Sequence, residues 1–225
     1  MLPHVRLLTG PRAARALGWL LGLLLLIGTR PGVAQPPAKL RRVSFAQMSA
    51  LLPADFQVMP DDAIATKYPA PRKPLAAYTS PSGQIDFVVS QKTTPFKPGD
   101  LPMLLKFYKS NVLNLYGNQV QFAQEQVVKI NEADFIALEF QSSLSGSSTT
   151  AGSGPGGAAT RIAPPAPGPS RGTLRRYTYM LYTVLPPKTE KDSPQLLTFT
   201  FACPLVLAET WKPVAQKVMA SVKIK

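Results

Sequence analysis

The chain has 225 residues, a net charge of +13, one histidine and one cysteine. A single cysteine cannot form an intramolecular disulfide, so the fold depends on packing alone. The only histidine is His4, and a chain that loses it can build neither a histidine-activated nucleophile nor a histidine metal site. Composition therefore excludes much of the familiar catalytic and metal chemistry.

Residues 1–34 have the three parts of a secretory signal peptide in the expected order. Arg6, Arg12 and Arg15 precede an apolar run over 16–28, and the small residues at 32–34 precede the predicted cleavage point. The apolar run is shorter than the roughly 20 residues that a membrane-spanning helix needs. We predict cleavage before Gln35, export to the periplasm or the extracellular space, and no stable membrane anchor afterwards. Retention of the segment as an N-terminal anchor is the alternative.

Cleavage removes four arginines and no acid, so the exported chain keeps a net charge of +9. A charge of this size favours anionic partners such as envelope polymers or acidic proteins. The basic residues are scattered and do not alternate with aromatic residues. For this reason we do not expect the protein to bind nucleic acid.

The first elements of the exported chain are short. We expect a loose, proline-containing leader over 35–43, followed by a single α+β domain over 44–225. The two acids after Pro60 favour a helix that begins at Asp61 and ends near Lys67, ahead of two further prolines. Turn residues at 80–83 then separate two predicted strands, 75–79 and 84–91, which form a hairpin.

The clearest predicted helix runs from Asp100 to Tyr116. Asp100 is suited to its N-terminal cap, Pro102 to its first turn and Gly117 to the position after its end. Apolar residues recur at spacings of three and four along one stripe, as in a helix that packs against a core. They are Leu101, Leu104, Leu105, Tyr108, Val112 and Leu115.

Four further strands are predicted, at 120–130, 134–141, 174–185 and 195–203, followed by a helix at 209–220 and a short terminal strand. A stretch over 142–173 is rich in Ser, Gly, Thr, Ala and Pro and interrupts this pattern. Because ordering such a segment buries little apolar surface, we predict a disordered hairpin loop. A tether or binding segment is the alternative.

The order of these elements resembles the PsbP-like superfamily, which includes the PsbP subunit of photosystem II, a eukaryotic Ran-binding nuclear import factor and exported bacterial proteins of unknown role. The matching stretches are 52–56, 78–89, the helix from Asp100, 129–140, 177–185, 197–204 and 211–224. The resemblance implies an α+β fold with a mostly antiparallel sheet of about six strands between helices. It implies binding or assembly roles and supplies no catalytic residue. Glu132 stands where the superfamily has a turn glycine, and the insert is unusually long.

One predicted strand carries a candidate partner surface. Tyrosine and arginine are favoured at protein interfaces, and they cluster here as Arg175, Arg176, Tyr177, Tyr179 and Tyr182. An ordinary half-exposed strand gives the same pattern. Cys203 shares a strand face with apolar residues and is expected to be a buried, unreactive thiol.

We interpret the chain as an exported, non-enzymatic binding protein with no cofactor and no metal, whose partner is a protein or an anionic envelope polymer. Its oligomeric state is left open. One alternative is a carrier of a small apolar ligand, with a pocket lined by Leu104, Tyr108, Phe199 and Trp211. The other is a hydrolase that uses two carboxylates across a cleft.

Overall fold

The computed structural model describes residues 39–144, 174–187, 189 and 191–225. The predicted signal peptide and most of the predicted insert lie outside these residues. The described residues form three α-helices and ten strands. The helices are α1 (Asp61–Lys67), α2 (Leu101–Tyr116) and α3 (Ala208–Ala220). The strands are β1 (Leu40–Phe45), β2 (Met48–Pro53), β3 (Gln57–Val58), β4 (Ala76–Thr79), β5 (Asp86–Thr93), β6 (Val120–Ile130), β7 (Ala133–Leu144), β8 (Leu174–Leu185), β9 (Gln195–Pro204) and β10 (Lys223–Ile224).

Seven antiparallel strands form the larger sheet, in the order β3-β4-β5-β9-β8-β7-β6. Successive side chains of a strand point to opposite faces of the sheet. The central strands carry apolar residues at successive positions, so both faces of the sheet are apolar. In β5, for example, Phe87 and Val89 belong to one core and Val88 to another. Apolar side chains therefore pack on both faces of the sheet, and the predicted α+β class with an antiparallel sheet between helices is confirmed.

One face of the larger sheet packs against α3 and a second sheet, which has three strands in the order β1-β2-β10. This core contains large buried side chains from both sheets and from α3, among them Phe56, Phe199, Phe201 and Trp211. Full burial of each such side chain stabilises the fold by about 2 kcal/mol or more. The packing between α3 and the two sheets thus forms the larger of the hydrophobic cores.

The opposite face of the larger sheet packs against α1 and α2. Leu101, Leu104 and Val112 from α2 are buried against β7, β8 and β9, and Ile64 from α1 is buried against β4 and β5. The two helices cover different parts of this face, and the sheet between them is covered by neither. That uncovered strip lies over the central strands β8 and β9.

The small sheet was not expected from the sequence. Residues 40–43, which we predicted to be part of a loose leader, belong to β1 because that strand pairs with β2 over its whole length and buries Val43. The tight turn between the two strands places Ala46 at a φ of 48°. An alternating pattern as short as β1 is easily missed beside a proline-rich leader.

Most other boundaries agree with the sequence pattern to within two residues. Strand β7 continues through residues 142–144, which we had assigned to the insert. Gly117 follows α2 at a φ of 56°, as expected for the residue that ends a helix. Asp100 does not cap α2 with its side chain; its carboxylate instead accepts a hydrogen bond of 2.7 Å from the backbone N–H of Lys97. Within the described residues, no helix has the length and apolar character needed to cross a membrane.

Candidate functional site

A groove of about 340 Å³ runs over the uncovered strip between α1 and α2. Its floor is made of small or unbranched side chains from the two central strands, Thr178 and Met180 of β8 and Thr200 and Ala202 of β9. Side chains of this size do not fill the distance between the two helices. The groove therefore follows from the choice of small residues on one face of β8 and β9.

Aromatic and apolar side chains form the walls of the groove. Tyr68 borders it beside α1, and Tyr108, Val112, Leu115 and Tyr116 border it on α2. Leu115 lies on the apolar stripe of α2, yet it is 64% exposed and lines the groove. An exposed leucine on the inward face of a helix, above an open groove, is a surface suited to an apolar contact from a partner.

Tyr108 is held firmly in this wall. Its ring stacks on Tyr182, with the ring centroids 4.2 Å apart and the planes 13° from parallel. Burial raises the pKa of both phenols, and for Tyr182 the nearby Tyr108 raises it further. Both tyrosines therefore stay neutral at physiological pH, and they present a rigid aromatic surface at low cost in conformational entropy.

A charged cluster closes one end of the groove around Asp86, which is buried. Lys67 donates to both carboxylate oxygens at 3.1 Å, Tyr68 donates at 3.0 Å and Thr79 donates at 2.7 Å. The Arg176 guanidinium lies 4.0 Å from the same carboxylate. Burial, together with the charge of Asp86 and the hydrogen bond to it, raises the pKa of the Tyr68 hydroxyl. This cluster fixes the end of α1 to the sheet.

The charges of this cluster do not balance. One carboxylate, Asp86, faces two cations, Lys67 and Arg176, whose side chains are 34% and 32% exposed. Arg176 and Tyr68 line both the groove and a neighbouring basin of about 260 Å³. Because Lys67 and Arg176 share one carboxylate, the cluster has one positive charge in excess at the end of the groove. An anionic group placed there would form charge-assisted hydrogen bonds.

A second buried acid, Glu139, lies on the other face of the sheet. Lys212 of α3 is 3.2 Å from one of its oxygens, and Gln216 donates to it at 3.2 Å. Burial and the charge of Glu139 raise the pKa of Tyr179 to about 12. Because Asp86 and Glu139 point to opposite faces of the sheet, the two do not form a carboxylate pair across one cleft.

The structure divides the predicted partner surface. Tyr177 and Tyr179 are buried in the core beneath α3, and Tyr182 is buried against α2. Only the two arginines are accessible, and the alternation of the strand sends them to opposite faces. Arg176 reaches the groove, whereas Arg175 borders a polar basin with Asn118 and Gln121. Of this set, Arg176 and the buried Tyr182 line the candidate site.

The four residues of the predicted apolar pocket are also separated. Leu104 and Tyr108 pack on the α2 face of the larger sheet, and Phe199 and Trp211 belong to the core on the α3 face. The sheet itself lies between the two pairs, so they do not line one cavity. Cys203 is fully buried, and burial raises its pKa to about 12, with Arg176 acting in the opposite direction.

Sequence reasoning missed Tyr68, Leu115 and Ala202 as members of one site. A usable signal was present: one face of β9 carries the small residues Thr198, Thr200 and Ala202, while the other face carries Leu197, Phe199 and Phe201. A central strand with small residues on one face indicates a place where the covering layer is incomplete. Which helix residues border that place depends on tertiary packing.

A larger cleft of about 860 Å³ lies at the opposite end of the sheet, near the turn between β1 and β2. It is lined in part by Lys191, Asp192 and Ser193. Residues 188 and 190 of the same loop lie outside the described residues.

Comparison with solved structures gives matches to proteins of the kind that the order of elements resembles. Cyanobacterial PsbP (CyanoP) from Synechocystis sp. PCC 6803 is 14% identical, covers 88% of this chain and 99% of its own, and has a TM-score of 0.49. The Ran-binding protein Mog1p of Saccharomyces cerevisiae is 9% identical, covers 83% of this chain and 95% of its own, and has a TM-score of 0.43.

A Pseudomonas aeruginosa protein of unknown function is 10% identical, covers 84% of this chain and 99% of its own, and has a TM-score of 0.37. No family model matches the chain, and no curated protein matches it. At these identities and TM-scores the matches carry no argument about superfamily, partner or activity.

Proposed function

We propose that this chain is an exported, non-enzymatic binding protein of the cell envelope. Its groove between α1 and α2 holds a protein segment that presents an acidic side chain next to an apolar one. The observation that carries the proposal is the lining of the groove: an apolar wall with Leu115 64% exposed, ending at Arg176, which shares the single carboxylate of Asp86 with Lys67.

The chemistry of the groove supports a protein partner. Tyr108 and Leu115 offer an apolar contact, and the amide of Asn111 lies in the same lining, where it can pair with a partner's backbone. Arg176 supplies a planar donor that matches a carboxylate in geometry. The net positive charge of the exported chain adds long-range attraction for an acidic partner. Export rests on the predicted signal peptide.

The acids also support a binding role. Asp86 and Glu139 are buried on opposite faces of the sheet, and each is paired with a lysine and held by further hydrogen-bond donors. Groups held in this way anchor α1 and α3 to the sheet. We therefore assign both carboxylates to structure rather than to acid–base chemistry.

Selection from a random peptide library displayed on phage tests the proposal. We expect the full chain to enrich peptides that combine an acidic with an apolar residue. The substitution Arg176→Gln should weaken their binding at least tenfold, because a hydrogen bond to a charged group is worth about 1.5–3 kcal/mol. Arg175→Gln is the matched control, since it removes the same charge from the opposite face and should change the affinity by less than about threefold.

Two results would contradict the proposed site. One is enrichment without acidic residues, and the other is an equal loss of affinity in the Arg176→Gln and Arg175→Gln variants. The second result would mean that a basic surface attracts anions without a specific groove, as expected for binding to an anionic polymer.

A further inference from the structure

Strand β6 forms one edge of the larger sheet and is eleven residues long. The opposite edge, β3, has two residues. Long open edges are unusual because their unpaired backbone groups invite pairing with another chain. Within the described residues, β6 pairs with β7 alone. Charged side chains on an edge strand usually oppose pairing with another chain. On β6 the two charged residues, Glu125 and Lys129, have opposite signs, so they can pair with each other between two copies.

The hairpin between β6 and β7 determines which backbone groups face the open edge. Asn131 and Glu132 form its two-residue turn, with φ values of 46° and 74°. In such a hairpin the flanking residues, here Ile130 and Ala133, form a hydrogen-bonded pair, and these pairs recur at every second residue. The backbone groups of Glu125, Val127 and Lys129 therefore point away from β7.

We propose that two copies of this chain associate through β6, antiparallel and centred on Val127, to form one continuous sheet. In this register Val127 pairs with Val127 of the second copy, and Glu125 pairs with Lys129 of the second copy on both sides of the axis. All three positions direct their backbone groups outward, so the register uses about six backbone hydrogen bonds. In the single chain Val127 is 40% exposed, so association would bury part of its side chain.

Charge complementarity selects this register among its neighbours. Centring the pair on Glu125 or on Lys129 places like charges directly opposite each other, which is destabilising. Centring it on Gln126 places Glu125 opposite Val127 and Lys129 opposite Ala123, and centring it on Val128 places Lys129 opposite Val127 and Glu125 opposite Asn131, so neither register pairs the two charges. Lys109 already donates to a Glu125 oxygen at 2.8 Å, and a carboxylate has acceptor sites for a second cation. The interface is separate from the groove, whose lining contains no residue of β6.

Sedimentation equilibrium of the full chain at concentrations up to about 1 mM tests the proposal, because a few edge hydrogen bonds give a weak dimer. We expect a monomer–dimer equilibrium for the wild type. Lys129→Glu and Glu125→Lys should each raise the dissociation constant at least tenfold. The double variant Glu125→Lys, Lys129→Glu exchanges the two charges and should restore it to within about threefold.

The variant Val127→Pro gives an independent readout. Its missing N–H belongs to the outward-facing set, so the fold keeps its ladder with β7 while the dimer loses two central hydrogen bonds. We expect this variant to remain folded by circular dichroism and to be monomeric at all concentrations. A wild type that is monomeric throughout would overturn the proposal, as would single and double charge variants that dimerise equally well.

Discussion

At the residue scale, Asp86 is the acid that orders the end of the groove. Asp86→Asn keeps the shape of the side chain and removes the charge that Lys67 and Arg176 face. Removing one partner of a buried ion pair costs about 3–5 kcal/mol. Because both cations are about one-third exposed, solvent compensates part of this, and we expect a loss of about 2 kcal/mol in the free energy of unfolding.

Urea unfolding of the full chain measures this loss, and Asp61→Asn is its control. Asp61 pairs with Lys73 on the surface, where the two side chains are 80% and 58% exposed. An exposed pair of this kind contributes less than about 0.5 kcal/mol. Equal losses in the two variants would show that Asp86 does not anchor α1 to the sheet.

Cys203 predicts a specific dependence of stability on pH. Burial raises its pKa from 9.0 to about 12, so the folded state retains the neutral thiol while the unfolded chain ionises. The contribution of this thiol to stability is complete below pH 9.0 and is lost as the pH rises towards 12.

Comparison of the wild type with Cys203→Ala isolates this effect. The buried tyrosines titrate in both proteins, so their contribution to the pH dependence cancels in the difference. The difference in the free energy of unfolding should stay constant below about pH 8. It should then shift against the wild type by about 1.4 kcal/mol for each pH unit above 9. A difference that stays constant up to about pH 10.5 would show that the thiol is accessible in the folded protein.

At the element scale, the turn between β6 and β7 holds Glu132 in a backbone conformation that is unfavourable for a residue with a side chain. Glu132 has a φ of 74°, which costs a residue with a side chain about 1 kcal/mol. Glu132→Gly should therefore raise the free energy of unfolding by about 0.5–1 kcal/mol, as measured by urea unfolding.

Asn131→Gly is the matched control, because it relieves a similar φ but removes hydrogen bonds. The Asn131 amide donates to the carbonyl oxygens of Val222 at 2.8 Å and Ala220 at 3.3 Å. We expect no gain in stability from this variant. A gain equal to that of Glu132→Gly would mean that Asn131 does not fasten the hairpin to the end of α3.

The same elements show how far the sequence leads. The stripe of α2, the alternation of β9 and the turn at Asn131 are local patterns, and they predicted those elements almost to the residue. The pairing of β2 with β10 joins residues that are far apart in the sequence, which a local pattern does not encode. The groove also depends on tertiary packing. Its floor could be recognised from the small residues of β9, but only the packing of the helices on the sheet brings Tyr68 and Leu115 to its walls.

At the scale of the whole molecule, the two faces of the larger sheet have different roles. The α3 face is a continuous core that includes the second sheet. The α2 face is covered in part and leaves the groove open between the two helices. We infer that the rigid core holds the groove in a fixed shape, so a partner binds without the cost of ordering the site.

The most direct test of this account is photo-crosslinking in the native cell envelope, with a photoreactive residue at Leu115. The control position is Leu113, which lies on the same helix, is 40% exposed and does not line the groove. We predict that the Leu115 probe labels one protein at a segment containing an acidic residue, and that Arg176→Gln abolishes the labelling. Equal labelling from Leu113, or labelling that Arg176→Gln leaves unchanged, would contradict the assignment of the groove as the partner site.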